Sequence, residues 1–297
     1  MKPKFFMMYL CVICLGIFPG SVFPQHKEET SENIEQKHYT YYREMAERLY
    51  KRYNEFDAAE IVLDKILEYY PDDFEANQEY VYAKSEIFEK KGEIEKAINI
   101  WKNFMEKYKE DKKEAIIPKM SRSLMVRKNY LTSSYLIYQR AGRFNDALYY
   151  ADKLSEFWLL EQDPFDIGFR SESKNELKYY ANVDVNIYKT ECYLGLKEYD
   201  RAISVCKEII KTYSDKASLP ETYSEGQKDG AWYDLKITVP NLMARDYLEK
   251  GVKQEAKKIY LQLKNISPDK EFGTAVSRNR FNKLMKEDVE INLKKCE

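Results

Sequence analysis

The sequence predicts an all-α protein, a helix–turn–helix solenoid with inserted segments. Three observations predict it. Glycine and proline number only 10 and 9 among 297 residues while tyrosine reaches 26, so large apolar-bodied side chains meet few chain breakers. Five segments place an aromatic residue nine positions before an alanine. Apolar residues recur four and seven positions beyond each alanine, which is one stripe of a helix.

Charge and composition exclude several functions. Lys and Arg number 49 against 50 Asp and Glu, a formal net charge of −1, with both signs interspersed. A nucleic-acid partner, which requires basic residues to replace phosphate counterions, is not expected. The two histidines, His26 and His38, precede the first periodic segment. The folded body therefore lacks the histidine for a Ser-His-Asp or Cys-His site, a His-bearing zinc site or a proton shuttle. Neither Gly-x-x-x-x-Gly-Lys-Ser/Thr nor Gly-x-Gly-x-x-Gly occurs, which removes the common phosphate-cradling loops. No catalytic residue, cofactor or metal is expected.

The chain begins with Lys2 and Lys4, then an uncharged apolar run from Phe5 to Phe18, then Pro19, Gly20 and Pro24 before it turns polar at Gln25. Residues 1–24 read as a secretory signal peptide, so the protein is expected to be exported, to the periplasm, the cell surface or beyond. The apolar run is short against the roughly 20 residues of a membrane span, and no span is expected after cleavage. An uncleaved anchor is the alternative. The bulky Leu10 and Ile13 before Cys11 and Cys14 disfavour a lipid anchor. Three cysteines remain in the body, Cys192, Cys206 and Cys296. They are expected as buried thiols packing like small hydrophobes, although Cys192 and Cys206 could meet if their helices are antiparallel neighbours.

Residues 25–38 are polar and aperiodic and read as a linker; the repeat region follows over 39–268. The first unit is anchored by Tyr50, Ala59, Leu63 and Ile66 and closes at Pro71. The second uses Phe88, Ala97, Trp101 and Phe104, and the third Tyr138, Ala147, Ala151 and Leu154. The fourth has Tyr193, Ala202, Cys206 and Ile209, and the fifth Tyr247, Ala256, Tyr260 and Leu263, closing at Pro268. Between aromatic and alanine stand Gly92, Gly142 and Gly251, residues that can end a helix with φ > 0. Asn54 takes that place in the first unit and also tolerates it. Lys197 takes it in the fourth, two residues after Gly195, so an altered turn is expected there. Alanine lets the two helices of a pair pack closely, and the shared stripe is buried only when pairs stack.

This pattern resembles the tetratricopeptide repeat, a helix–turn–helix unit of about 34 residues that stacks into a right-handed superhelix. Successive key alanines here are 38, 50, 55 and 54 residues apart. The first excess fits slightly longer helices; the others require an extra helix or long loops. Residues 159–182 and 213–240, with Pro, Gly, Ser, Asp and exposed-looking aromatics, are the expected inserts, and loops on a solenoid face often carry binding. Residues 269–297 are expected to cap the open end through one amphipathic helix over 274–295, with Val276, Phe281, Leu284, Met285, Val289 and Leu293 inward.

The resemblance implies a ligand face on the concave side, made by the first helix of each pair. Counting from the anchor aromatics, that face holds Tyr82, Glu86 and Glu89 in the second unit and Thr132, Gln139 and Arg140 in the third. The fourth contributes Asp184 and Glu191, and the fifth Asn241 and Arg245. The Lys, Asn and Arg arrangement with which some family members grip chaperone C-termini is not reproduced, so such tails are disfavoured. Each tyrosine doublet (41–42, 69–70, 149–150, 179–180) is expected to place one ring in the core and one outside. Asp163 and Asp166 could ligate a metal or form an acid–base pair, but beside Pro and Gly they read as turn residues. Asn265-Ile266-Ser267 matches a glycosylation sequon, with Pro268 directly after it, and is taken as chance.

Three functions follow. The leading one is a non-catalytic, exported scaffold that holds a protein or peptide partner on the concave face. The alternative is a structural subunit of an envelope assembly or secretion complex, contacting its partners through inserts or the convex face. An enzyme using carboxylates of the inserts would require paired Asp or Glu with raised pKa values in a pocket.

Overall fold

A computed structural model describes residues 31–111, 121–160 and 174–297. The segment read as a leader, the first part of the expected linker, Asp163, Asp166 and much of the expected insert 159–182 lie outside the described residues.

The described residues are predominantly helical, with no β-strand among them. Helices pack in consecutive pairs: α1 (Ser31–Arg52) with α2 (Phe56–Tyr69), α3 (Phe74–Lys90) with α4 (Ile94–Tyr108), α5 (Arg122–Arg140) with α6 (Phe144–Leu160). Helix α7 runs Lys174–Tyr179, through a π-helical turn at Tyr180–Asp184, to Val185–Gly195, and pairs with α8 (Tyr199–Thr212). Helix α9 has the same build (Glu225–Tyr233, π-turn Asp234–Thr238, Val239–Glu249) and pairs with α10 (Lys253–Lys264). The short α11 (Pro268–Glu271) leads to α12 (Ala275–Leu284, π-turn Met285–Val289, Glu290–Lys295), which packs on α10. Each pair also packs on the next, as expected of an α-solenoid. Helix α1 begins inside the segment read as linker, because Glu, Gln and Lys favour helix without any apolar period.

The repeat pattern maps directly onto this architecture. All five key alanines, Ala59, Ala97, Ala147, Ala202 and Ala256, are fully buried. Each donates its N–H to the residue four positions earlier, the first backbone bond of the second helix. The side chains four and seven residues on are buried in every unit, giving three contiguous cores along the array. The described residues with positive φ are Asn54, Gly92, Gly142, Lys197 and Gly251, the five turn positions. In units two to five, the N–H of Glu93, Arg143, Glu198 and Val252 bonds the carbonyl of the anchor aromatic at 2.8–2.9 Å, closing a Schellman turn. The fourth turn is therefore not altered: Lys197 adopts φ 61°, held by the same hydrogen bonds. The first departs instead, with Glu55 bonding Leu49 at 3.1 Å.

The wider spacing of later units is taken up in part by longer first helices, which lengthen along the array from α3 to α9, and as much or more by the longer segments between units, 109–121, 161–173 and 213–224 against 70–73. The segment 213–240 is not a loop with exposed aromatics. Its irregular backbone ends at Ser224, whose hydroxyl caps α9 in a capping box with Gln227, and Tyr223, Trp232 and Tyr233 are buried. Val276 is also corrected: it is 69% exposed, because inward contact from this turn comes from Ser277 and Phe281. Of the tyrosine doublets, Tyr41, Tyr69 and Tyr149 point outward, and only Tyr179 is fully in the core; Tyr42, Tyr70, Tyr150 and Tyr180 are half-buried. Cys192, Cys206 and Cys296 are buried and free.

Candidate functional site

The first helices of units one to three frame a cavity of about 820 Å3. Its wall from α3 is one stripe, Glu79, Tyr82, Glu86 and Glu89, at the three- and four-residue spacing that shares a helix face. Helix α1 contributes Arg43, Glu47 and Tyr50, α5 contributes Ser133, Leu136, Ile137 and Arg140, and Trp101 of α4 lies beneath.

The floor is aromatic and fixed. Trp101 is buried and its indole N–H donates to Ser85 Oγ at 3.1 Å. The Tyr82 ring stands edge-on to it, 4.6 Å between centroids and 85° between planes, and remains 46% exposed. Burial raises the Tyr82 phenol pKa, and the nearby Glu79 charge adds to this. Around the floor the charges are mostly paired. Arg43 Nη1 donates to Glu79 at 2.8 Å, and Arg140 donates through Nε and Nη2 to both oxygens of Glu89, each at 2.8 Å. Glu86 accepts from the Tyr50 hydroxyl at 2.6 Å and faces Lys51 and Lys90 only at 3.6 and 3.9 Å. These side chains together line one open cavity. It is an amphipathic groove with an apolar centre and a charged rim.

Four of the ten sequence-nominated residues, Tyr82, Glu86, Glu89 and Arg140, meet in this groove. Thr132 is half-buried on α5 outside the lining. Gln139 and Glu191 meet each other instead: the Gln139 amide donates to Glu191 at 3.2 Å and the Tyr135 hydroxyl to the same oxygen at 3.1 Å. Asn241 is buried and donates to Asp288 of the capping helix at 2.7 Å. Arg245 is half-exposed, its charge felt by Glu191 and Asp246. The nominations missed α1 altogether. Carrying the register back one unit would have nominated Glu44, Arg48 and Lys51, none of which lines the groove, although Lys51 faces Glu86.

Asp184 closes the π-turn of α7, and Asp234 opens that of α9. Burial, then the charge of Asp234, pushes Asp184 up to about 7. Burial also raises Asp234, against hydrogen bonds from Thr238 and Arg280. Tyr179 and Tyr188 lie within the field of both carboxylates. Among the described residues no group of three or more His, Cys, Asp or Glu is placed to hold a metal. No described helix is long and apolar enough to cross a membrane.

Compared with known proteins, the chain matches no family model and no curated sequence.

Proposed function

We propose that the protein is an exported, non-catalytic scaffold of tetratricopeptide type that holds a protein or peptide segment in the groove between α1, α3 and α5. The observation that carries the reading is the half-exposed Tyr82 at the centre of an open, charge-rimmed cavity. A large apolar ring left accessible inside a groove, where packing could have covered it, suits an apolar side chain of a partner. The rim then fixes register, since a partner carboxylate can compete for Arg140 and a partner cation for Glu86. The turn geometry shared by units two to five supports the tetratricopeptide likeness, and the apolar run Phe5–Phe18 supports export.

A second reading, contact through the outer surface, draws on Ile61, Lys65 and Tyr69, four residues apart on α2, with both Ile61 and Tyr69 more than half exposed. The two are separated by affinity capture of the tagged protein from its own cells, using Tyr82→Ala/Arg140→Glu and Ile61→Ser/Tyr69→Ser variants. The groove reading expects a partner lost only with the first variant. Loss only with the second would replace it with the structural-subunit reading.

A further inference from the structure

The residue before the anchor aromatic is Leu49, Ile87, Ile137 and Cys192 in the first four units, and Asp246 in the fifth. This is a core position: Ile87, Ile137 and Cys192 are buried, and so is Asp246, with no exposed surface. Neither oxygen of the Asp246 carboxylate has a hydrogen-bond partner. An ionised carboxylate held this way bears its full desolvation cost, with no hydrogen bond to offset it.

The groups around it come from five helices. Arg245 is its neighbour on α9, and the Cys206 thiol of α8 lies within the Asp246 field. Glu191 of α7 and Tyr260 of α10 both feel the Arg245 charge, and Asp288 of α12 acts on Tyr260. Arg245 is the cation of this set, and it is shared. Side chains adjacent in a helix diverge by about 100°, so it does not hydrogen-bond Asp246 in the closed seam.

We propose that Asp246 makes the seam where α9 packs on α8 a proton-controlled joint, closed when the carboxyl is neutral and opened to water when it ionises. Burial holds Asp246 up at about 7, with Arg245 pulling the other way, so the joint switches in the neutral range. Cys206 does not compete: burial and the Asp246 charge push its thiol up to about 12. The closed seam takes up the proton more tightly than the open one, so acid closes it and base loosens it. Helix α9 carries α10, and α10 carries α12. Opening therefore loosens the fifth unit and the cap, while the groove in the first three units stays packed.

Hydrogen exchange of the full chain at pH 5.5 and 8.5, expressed as protection factors so that intrinsic exchange is removed, tests this. Protection in α9 and α10 is expected to fall at least about tenfold at the higher pH, with α3 and α4 changing less than about twofold. Asp246→Leu, which restores the apolar residue of the register, and Asp246→Asn, which stays polar but uncharged, should each cut the fall to less than about threefold. Equal protection of the wild type at both pH values would overturn the proposal. So would an undiminished fall in both variants, which would assign the effect to Asp184 and Asp234.

Discussion

Arg140 of α5 forks both carboxylate oxygens of Glu89 on α3, with Nε and Nη2 each at 2.8 Å. The pair joins the third unit to the second across the groove, yet the arginine side chain is 54% exposed. An ion pair at that exposure contributes about 0–1 kcal/mol. Its bidentate geometry is better suited to recognition, because a partner carboxylate can take the place of Glu89 at little cost.

Arg140→Ala should therefore leave stability within about 1 kcal/mol of wild type while weakening partner capture. Chemical denaturation beside a binding assay checks both halves. A loss well beyond that range would make the pair a structural strut.

Lys197 occupies a left-handed conformation that costs an L-residue roughly 1–2 kcal/mol. Lys197→Gly should raise stability by about 0.5–1 kcal/mol after the larger chain entropy of glycine is counted. Gly142→Ala, at the equivalent turn with φ 72°, should lower it by about 1 kcal/mol. Urea midpoints of the two variants should move in opposite directions.

Gly195 is small for a different reason. A β-carbon there would come within 2.4 Å of the Phe144 ring, so the end of α7 lies directly on the start of α6. Gly195→Ala should cost about 1–3 kcal/mol through overpacking. Adding Phe144→Leu should recover part of that loss, and a double-mutant cycle measures the coupling.

Asp184 sets a pH dependence whose sign is opposite to that of an ordinary salt-bridged carboxylate. Its folded value, about 7, lies above the ordinary 3.8 because burial and Asp234 oppose its charge. The folded state thus binds the proton more tightly, and stability falls as pH rises from about 4 to about 7. Asp184→Asn should flatten the stability profile between pH 5 and 8 by about 1–2 kcal/mol, allowing for its partial exposure. Unfolding curves at the two pH values check it; an unchanged slope would remove Asp184 from the account.

Asp229 clasps the cap. Its carboxylate accepts the Gly273 N–H at 2.7 Å, the Thr274 N–H at 3.1 Å and the Thr274 hydroxyl at 2.5 Å. Asp229→Ala should cost about 2–3 kcal/mol by orphaning these donors. The loss should show first as faster hydrogen exchange in α12.

Much of the helical framework was legible in the sequence because it rests on steric rules local to each unit. Alanine marks the closest approach of two helices, and Gly92, Gly142 and Gly251 mark positive φ. Lys197 shows that the backbone hydrogen bonds of the turn can force the same conformation on an unfavourable residue. The long α9 was less legible, since Gly226 and Gly230 inside 213–240 look like loop punctuation until Ser224 is seen to cap a helix over them. For the groove, the register located Tyr82, Glu86, Glu89 and Arg140, all from units with clear anchors. It misjudged Asn241, because the capping helix covers that part of the face, and nothing local to Asn241 signals Asp288.

The most direct test of the groove places a photo-crosslinking amino acid at position 82, or at position 69 on the outer face, in the full chain in its own cells. The groove account predicts a discrete adduct from position 82 that disappears with Arg140→Glu, and none from position 69. An adduct from position 69 alone, indifferent to Arg140→Glu, would contradict it.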